Sequence, residues 1–241
     1  MFNKRQYSIL SERYFEALLG DFSALAWMVG QAPLIGALII LRWKSWQATE
    51  TLYFVIALSA VWFGCINSCR EIAKESGIYK RERLFGLNSG AYLASKVKIL
   101  SMIGVIEIGL FYLMINHYLD TNLMSFLAVT ALFGLYFSGM SLGLMLSRWC
   151  GTVGKAVVAV PIVIIPQIVF SKFVLPENTL KGAALKIEKL MVVKWGFESL
   201  RSCKKGNIVY DDYMVSMIIL ILLGLIFLAL TLFHLWFVEE K

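Results

Sequence analysis

An all-α, polytopic membrane protein is the fold class this sequence predicts, and three observations carry the prediction. The chain of 241 residues is 59% apolar and only 16% charged, with a mean hydropathy of +0.72. A soluble domain of this length needs more charge to cover its surface. Several apolar runs reach the roughly 20 residues that cross a bilayer as a helix. These runs are continuous instead of alternating, which excludes a membrane β-barrel. Residues 1–241 therefore read as a single transmembrane domain.

Residues 1–20 carry Lys4, Arg5, Glu12, Arg13 and Glu16 with no uninterrupted apolar core, so they do not read as a signal peptide. Tyr7, Leu10, Tyr14, Ala17 and Leu18 recur at helical spacing, with Arg5, Ser8, Glu12 and Glu16 on other faces. That pattern predicts a helix lying in the membrane interface, the alternative being a cytoplasmic tail. Gly20-Asp21 breaks the chain before the first span, with Asp21 as its N-cap. Six spans follow, at about 22–41, 51–69, 97–115, 123–147, 153–171 and 214–238.

Lys and Arg in the connections set the orientation. The N-terminal arm holds Lys4, Arg5 and Arg13, and the segment from Arg70 to Lys96 holds six basic residues. The link after the third span has none, whereas that after the fourth has Arg148 and Lys155. The alternation places the N-terminus, residues 70–96 and residues 148–155 in the cytoplasm, with the C-terminus on the same side. Residues 172–213 should then be external, although they hold eight Lys and Arg against five acids. Residues 179–202 look partly helical and amphipathic, which predicts an external helical cap.

Inside the spans, Pro33 frees the carbonyl of Val29, and Pro161 and Pro166 free those of Val157 and Ile162. Such carbonyls are tolerated where neighbouring helices, side chains or water satisfy them. Gln31 reads best as an interhelical hydrogen bond. Glu107 lies midway along the third span, where a carboxylate costs on the order of 3 kcal/mol. It is a proton-coupling group or a neutral acid bonded to a neighbouring helix; the lack of a second intramembrane acid, His or Arg favours the latter. Cys65 and Cys69 stand one turn apart without a His or further Cys to complete a metal set, so no metal site is predicted. His117 and His234 fall at opposite faces of the membrane, and no catalytic constellation emerges.

Between two apolar spans lies INSCREIAKESGIYKRERLFG (66–86), in which eight of the sixteen residues from Arg70 to Phe85 are charged. Gly77 and Gly86 bracket a helix-length piece. By composition it is a solvated link or a lever gripped by a soluble partner. The run REIAKESGIYKRERLFGLNSGAYLASK (Arg70–Lys96) resembles the cytoplasmic coupling loop of the G-subfamily, or white-type, ATP-binding cassette transporters. The nearest likeness is to permease portions of bacterial members. The family pattern is an acid, a Tyr-Arg-Arg-Glu-Arg-like cluster, then a Tyr and a Ser-Lys opening the third span. Glu75, Tyr79 to Arg83, Tyr92, Ser95 and Lys96 match it. PIVIIPQIVFSKFVLP (Pro161–Pro176) resembles the family's fifth span, KWGFESL (194–200) its aromatic patch before the last span, and QAP (31–33) its first span. Lys172 stands where members usually have Gly, and Glu107 where many have Gln.

The resemblance implies a permease subunit exporting a hydrophobic or amphipathic cargo such as a lipid, peptide or drug-like molecule. No G-x-x-x-x-G-K-[ST] phosphate loop occurs in the chain, and CGTVGKAV (Cys150–Val157) only echoes one. ATP and Mg would therefore sit on a separate ATPase subunit, this chain holding no cofactor of its own. A second copy or a paralogous half is implied, in the cytoplasmic (inner) membrane, with surrounding lipid and no nucleic acid as partners. Glu75, Tyr79, Arg81, Glu82 and Arg83 would couple to the ATPase, Arg81 and Glu82 through an ion-pair contact. Charge reversal at Glu82 is expected to leave folding intact and abolish ATPase stimulation. Phe63 and Gln167 would line the substrate pathway, with Phe173 and Val174 as an apolar plug, although helix packing explains Phe63, Phe173 and Val174 equally well. The alternatives are an accessory or immunity membrane protein and a membrane-embedded lipid-modifying enzyme. A bridge between two copies of Cys203 would join a dimer covalently.

Overall fold

The computed structural model describes residues 3–44, 49–171, 183–206 and 208–237. Asn3 accepts from the backbone N–H groups of Arg5 and Gln6 and so starts α1 (Lys4–Gly20). Its buried stripe is Leu10, Ser11, Tyr14 and Leu18. The chain breaks at Asp21, whose side chain accepts from the Ala24 N–H at 3.1 Å and caps α2 (Phe22–Trp43). α3 (Glu50–Ser68) is capped by the Thr49 hydroxyl. A single 3-10 turn (Ala73–Glu75) and the short α4 (Ser76–Leu84) then form the charged segment. Gly77 lies inside α4 and does not bracket it; Gly86, with φ of +85°, does end it, in a conformation that favours glycine.

α5 (Ser89–Tyr118) starts at the Asn88 cap and is longer than expected, because its first turns stand beneath the apolar stretch and carry α1. α6 (Ser125–Cys150) ends at Gly151, with φ of +69°. α7 (Val153–Val169) continues through Pro161 and Pro166. Five helices, α2, α3, α5, α6 and α10 (Tyr210–Phe237), are long and apolar enough to span a membrane. The 17 residues of α7 make a helix of about 25 Å, at the lower limit for a span. The described residues contain no β-strand, only an isolated bridge between Leu123 and Lys204.

α6 is the axis of the bundle, packed most extensively on α3 and α10. Its seam with α3 is built from small residues. A Cβ on Gly64 would collide with the Tyr136 carbonyl, one on Gly139 with the Val61 backbone, and one on Gly143 with Cys65 and Ser68. The backbones therefore approach closely, as in small-residue packing within membranes. The Ser68 hydroxyl lies 2.8 Å from the carbonyls of both Gly64 and Met140, and Ser138 donates to Leu220 on α10 at 2.7 Å. Cys65 and Cys69 are buried in this packing.

At the other end from α4, α8 (Ala183–Leu190) and α9 (Val192–Ser202) lie in the region expected to be a cap. α9 is set into the bundle, not laid over it: Val192, Val193, Phe197 and Leu200 are buried against α3, α6 and α10. Cys203 is fully buried and its thiol donates to the Ser199 carbonyl, which closes it to a bridge with a second copy. Lys172, Phe173 and Val174 lie outside the described residues.

Candidate functional site

The charged segment is held from three sides. From above, the Ser147 hydroxyl of α6 accepts from the backbone N–H groups of Ile72 and Ala73, at 3.0 and 2.9 Å. These donors start the 3-10 turn and have no intrahelical acceptor, so a side chain must satisfy them. Ser147→Ala is expected to cost about 1–3 kcal/mol by leaving them unpaired, measured as thermal unfolding of the purified chain in detergent.

From the side, α1 grips the C-terminal end of α4. Gln6 donates to the Gly86 carbonyl at 3.2 Å and accepts from the Asn88 N–H at 3.0 Å. Arg13 engages both carboxylate oxygens of Glu82, at 2.5 and 3.3 Å. Glu82 holds the Arg13 guanidinium above its ordinary pKa, against the cost of partial burial. Two-point pairing of this kind fixes orientation as well as distance.

Underneath, a buried polar cluster joins α1, the turn and α5. The Lys96 ammonium donates to Glu75 at 2.6 Å and sits 3.5 Å from the centre of the Tyr14 ring. Tyr92 donates to the other Glu75 oxygen at 3.1 Å, and Tyr14 donates to Glu71 at 2.5 Å. Burial first, and the Glu71 carboxylate second, push the Tyr14 phenol well above its ordinary pKa, so it stays a donor. Tyr79 is buried, donates to the Ser89 hydroxyl at 2.8 Å and lies against Tyr92, with ring centres 4.8 Å apart.

The five expected coupling residues thus divide. Glu75 and Tyr79 point inward as anchors, Glu82 is paired to α1, and Arg83 donates to the Leu87 carbonyl at 2.9 Å. Arg81 is exposed. Beside it stand Lys80, Ile78, Leu84 and Phe85, the last two 85% and 86% exposed. This apolar and basic face is the part of the segment left open. The sequence pattern placed Tyr14 on the apolar stripe of the first helix but assigned none of Gln6, Tyr14, Glu71 and Ser147 to this segment; only the fold brings them to it.

Within the spans, Gln31 donates to the Asn67 side chain at 2.8 Å, and Asn67 donates to Glu107 at 2.7 Å. This chain of polar groups ties α2, α3 and α5 together, with Glu107 fully buried. Phe63 is also fully buried and packs edge-on against Phe111, with centroids 5.1 Å apart. It lies inside the protomer and not on an open surface. Gln167 is buried, and its side-chain oxygen accepts from the Val193 N–H at 3.1 Å, capping α9 from α7. Among the described residues no group of three or more His, Cys, Asp or Glu could hold a metal ion.

A bundle of helices long and apolar enough to span a membrane, with a braced, charged short helix at one end, has the form of a membrane transport subunit. The family model described as ABC-2 type transporter matches residues 5–204, from the first turn of α1 to just past α9. The chain belongs to that family: it is the permease component of an ABC transporter and not itself a catalytic ATPase. Permease domains of this family generally work with a separate ATP-binding subunit. Comparison with individual curated proteins gives no match.

Proposed function

We propose that this permease belongs to an ATP-driven exporter of the G-subfamily type, moving a hydrophobic or amphipathic molecule out through two such chains or a pair of related halves. A separate subunit binds ATP and Mg and docks on the outer face of α4. The observation that carries this reading is the pair of almost fully exposed apolar side chains, Leu84 and Phe85, beside exposed Lys80 and Arg81 at the end of a helix braced by α1, the turn before it being held by α6. An exposed apolar pair of this kind, flanked by basic residues, suits cover by a partner surface. In this orientation both termini and α4 are cytoplasmic, and α9 faces outward.

Because Glu82 is engaged by Arg13, reversing its charge disturbs the clamp as well as any partner contact, so it is not a clean test. Phe85→Asp is cleaner, since the ring contributes little to the fold. The expected result is loss of co-purification with the ATPase subunit and loss of stimulated hydrolysis, with the thermal midpoint of the permease unchanged. Retention of a stoichiometric, stimulated ATPase with Phe85→Asp would refute docking at this face.

A further inference from the structure

We propose that the end of the bundle remote from α4 carries a binding site for a membrane lipid whose head group joins a phosphate to a primary ammonium. A cavity of about 670 Å³ lies there between the starts of α3 and α10 and the face of α9. That size is within the range of about 300–1,000 Å³ typical of small-molecule sites. Its lining includes Trp195, Arg201 and Lys204 from α9 and the residues after it, Glu50 from α3, and Asp212 and Ser216 from α10.

Both bases of the lining stand on the α9 side of the cavity, and Asp212 stands on the α10 side. Arg201 and Lys204 converge on one Glu50 oxygen, at 3.2 and 3.9 Å. The rest of the Arg201 guanidinium and of the Lys204 ammonium can still donate to a phosphate, while Glu198, also on α9, stands 4.0 Å from Lys194. On the α10 side, Asp212 makes no ion pair among the described residues, and the hydroxyl of Ser216, which lines the cavity, has no hydrogen-bond partner among them. Both groups can accept hydrogen bonds, which a primary ammonium supplies and a quaternary one does not. Glu198 also lines the cavity, giving three acids to two bases. A ligand with net negative charge therefore meets an opposing field, whereas a zwitterion matches both walls.

The position suits a lipid more than a free solute. The site opens where two apolar helices begin, beside exposed Val209, Tyr210, Met214 and Val215. Trp and Tyr at the ends of spans mark the head-group level of a bilayer. The exposed apolar flank of α10, continuing through Ile218 and Leu222, offers a path for the acyl chains. This site is distinct from the α4 face and does not depend on the ATPase reading.

The test uses the full chain, stripped of lipid in mild detergent and titrated with phosphatidylethanolamine, phosphatidylglycerol, phosphatidylcholine and soluble glycerophosphoethanolamine, with bound species counted by native mass spectrometry. Phosphatidylethanolamine is expected to bind in preference to the other three. Arg201→Ala and Asp212→Asn are each expected to weaken that binding about tenfold, as loss of a charge-assisted hydrogen bond implies. Equal retention of phosphatidylglycerol, or no effect of either substitution, would overturn the head-group assignment. Equal affinity for soluble glycerophosphoethanolamine would overturn the lipid assignment in favour of a small solute.

Discussion

Gly139→Leu is expected to prevent the permease from accumulating as a folded species. Gly139 lies in the seam between α3 and α6, where a Cβ would meet the carbonyl and Cα of Val61. Those are backbone atoms of a buried helix, not the movable end of a side chain. The clash can be relieved only by pushing α3 away from α6. That displacement would strain the Ser68 bond to Met140 and the packing around Gly64 and Gly143. Overpacking in cores costs about 1–3 kcal/mol where side chains can adjust, and more is expected where they cannot. Gly109→Leu is the control, because nothing lies within 4 Å of a Cβ built there. Size-exclusion profiles and thermal midpoints in detergent should separate the two. A monodisperse Gly139→Leu protein with an unchanged midpoint would contradict the close seam.

The elements themselves were readable because each rests on local chemistry. Apolar run length located the five long helices and the shorter α7, most to within a few residues of their ends, and the Asp21 cap follows from a polar residue just before an apolar run. The exception was α5, whose polar first turns look like loop in sequence but are helical because α1 covers them. Gly77 misled for a related reason: a glycine inside a short helix carries a propensity cost that the surrounding clamp offsets. The site was legible only in outline. The charged segment stood out, yet which of its charges face outward depends on α1, more than fifty residues earlier in the chain. Nothing local tells Arg81, which is exposed, from Glu82, which meets Arg13. The same holds for Asn67. Gln31 lies within α2, Asn67 near the end of α3 and Glu107 past the middle of α5, and only the packing of the three helices brings them into one chain of hydrogen bonds.

Lys96→Met should be the most damaging single change beneath the spans, and its rescue distinguishes a structural anchor from a transmission element. Lys96 is almost wholly buried, between the Tyr14 ring and the Glu75 carboxylate. Removing the ammonium leaves Glu75 with only the Tyr92 hydroxyl, a half-satisfied charge in a place poorly reached by water. Breaking one side of such a buried pair costs about 3–5 kcal/mol, whereas replacing both sides is often near neutral. The pair Lys96→Met with Glu75→Gln is therefore expected to regain most of the lost stability, and the four proteins form a double-mutant cycle whose coupling energy is read from unfolding midpoints. Stimulated ATPase activity in the reconstituted transporter is the second readout. The cluster fixes the 3-10 turn to α5 and α1 together, so under the proposed docking at α4 a push there would reach the spans through it. The rescued double variant should then be stable but weakly stimulated. Full stimulation alongside restored stability would mean that Glu75 and Lys96 hold the segment in place and carry none of its motion.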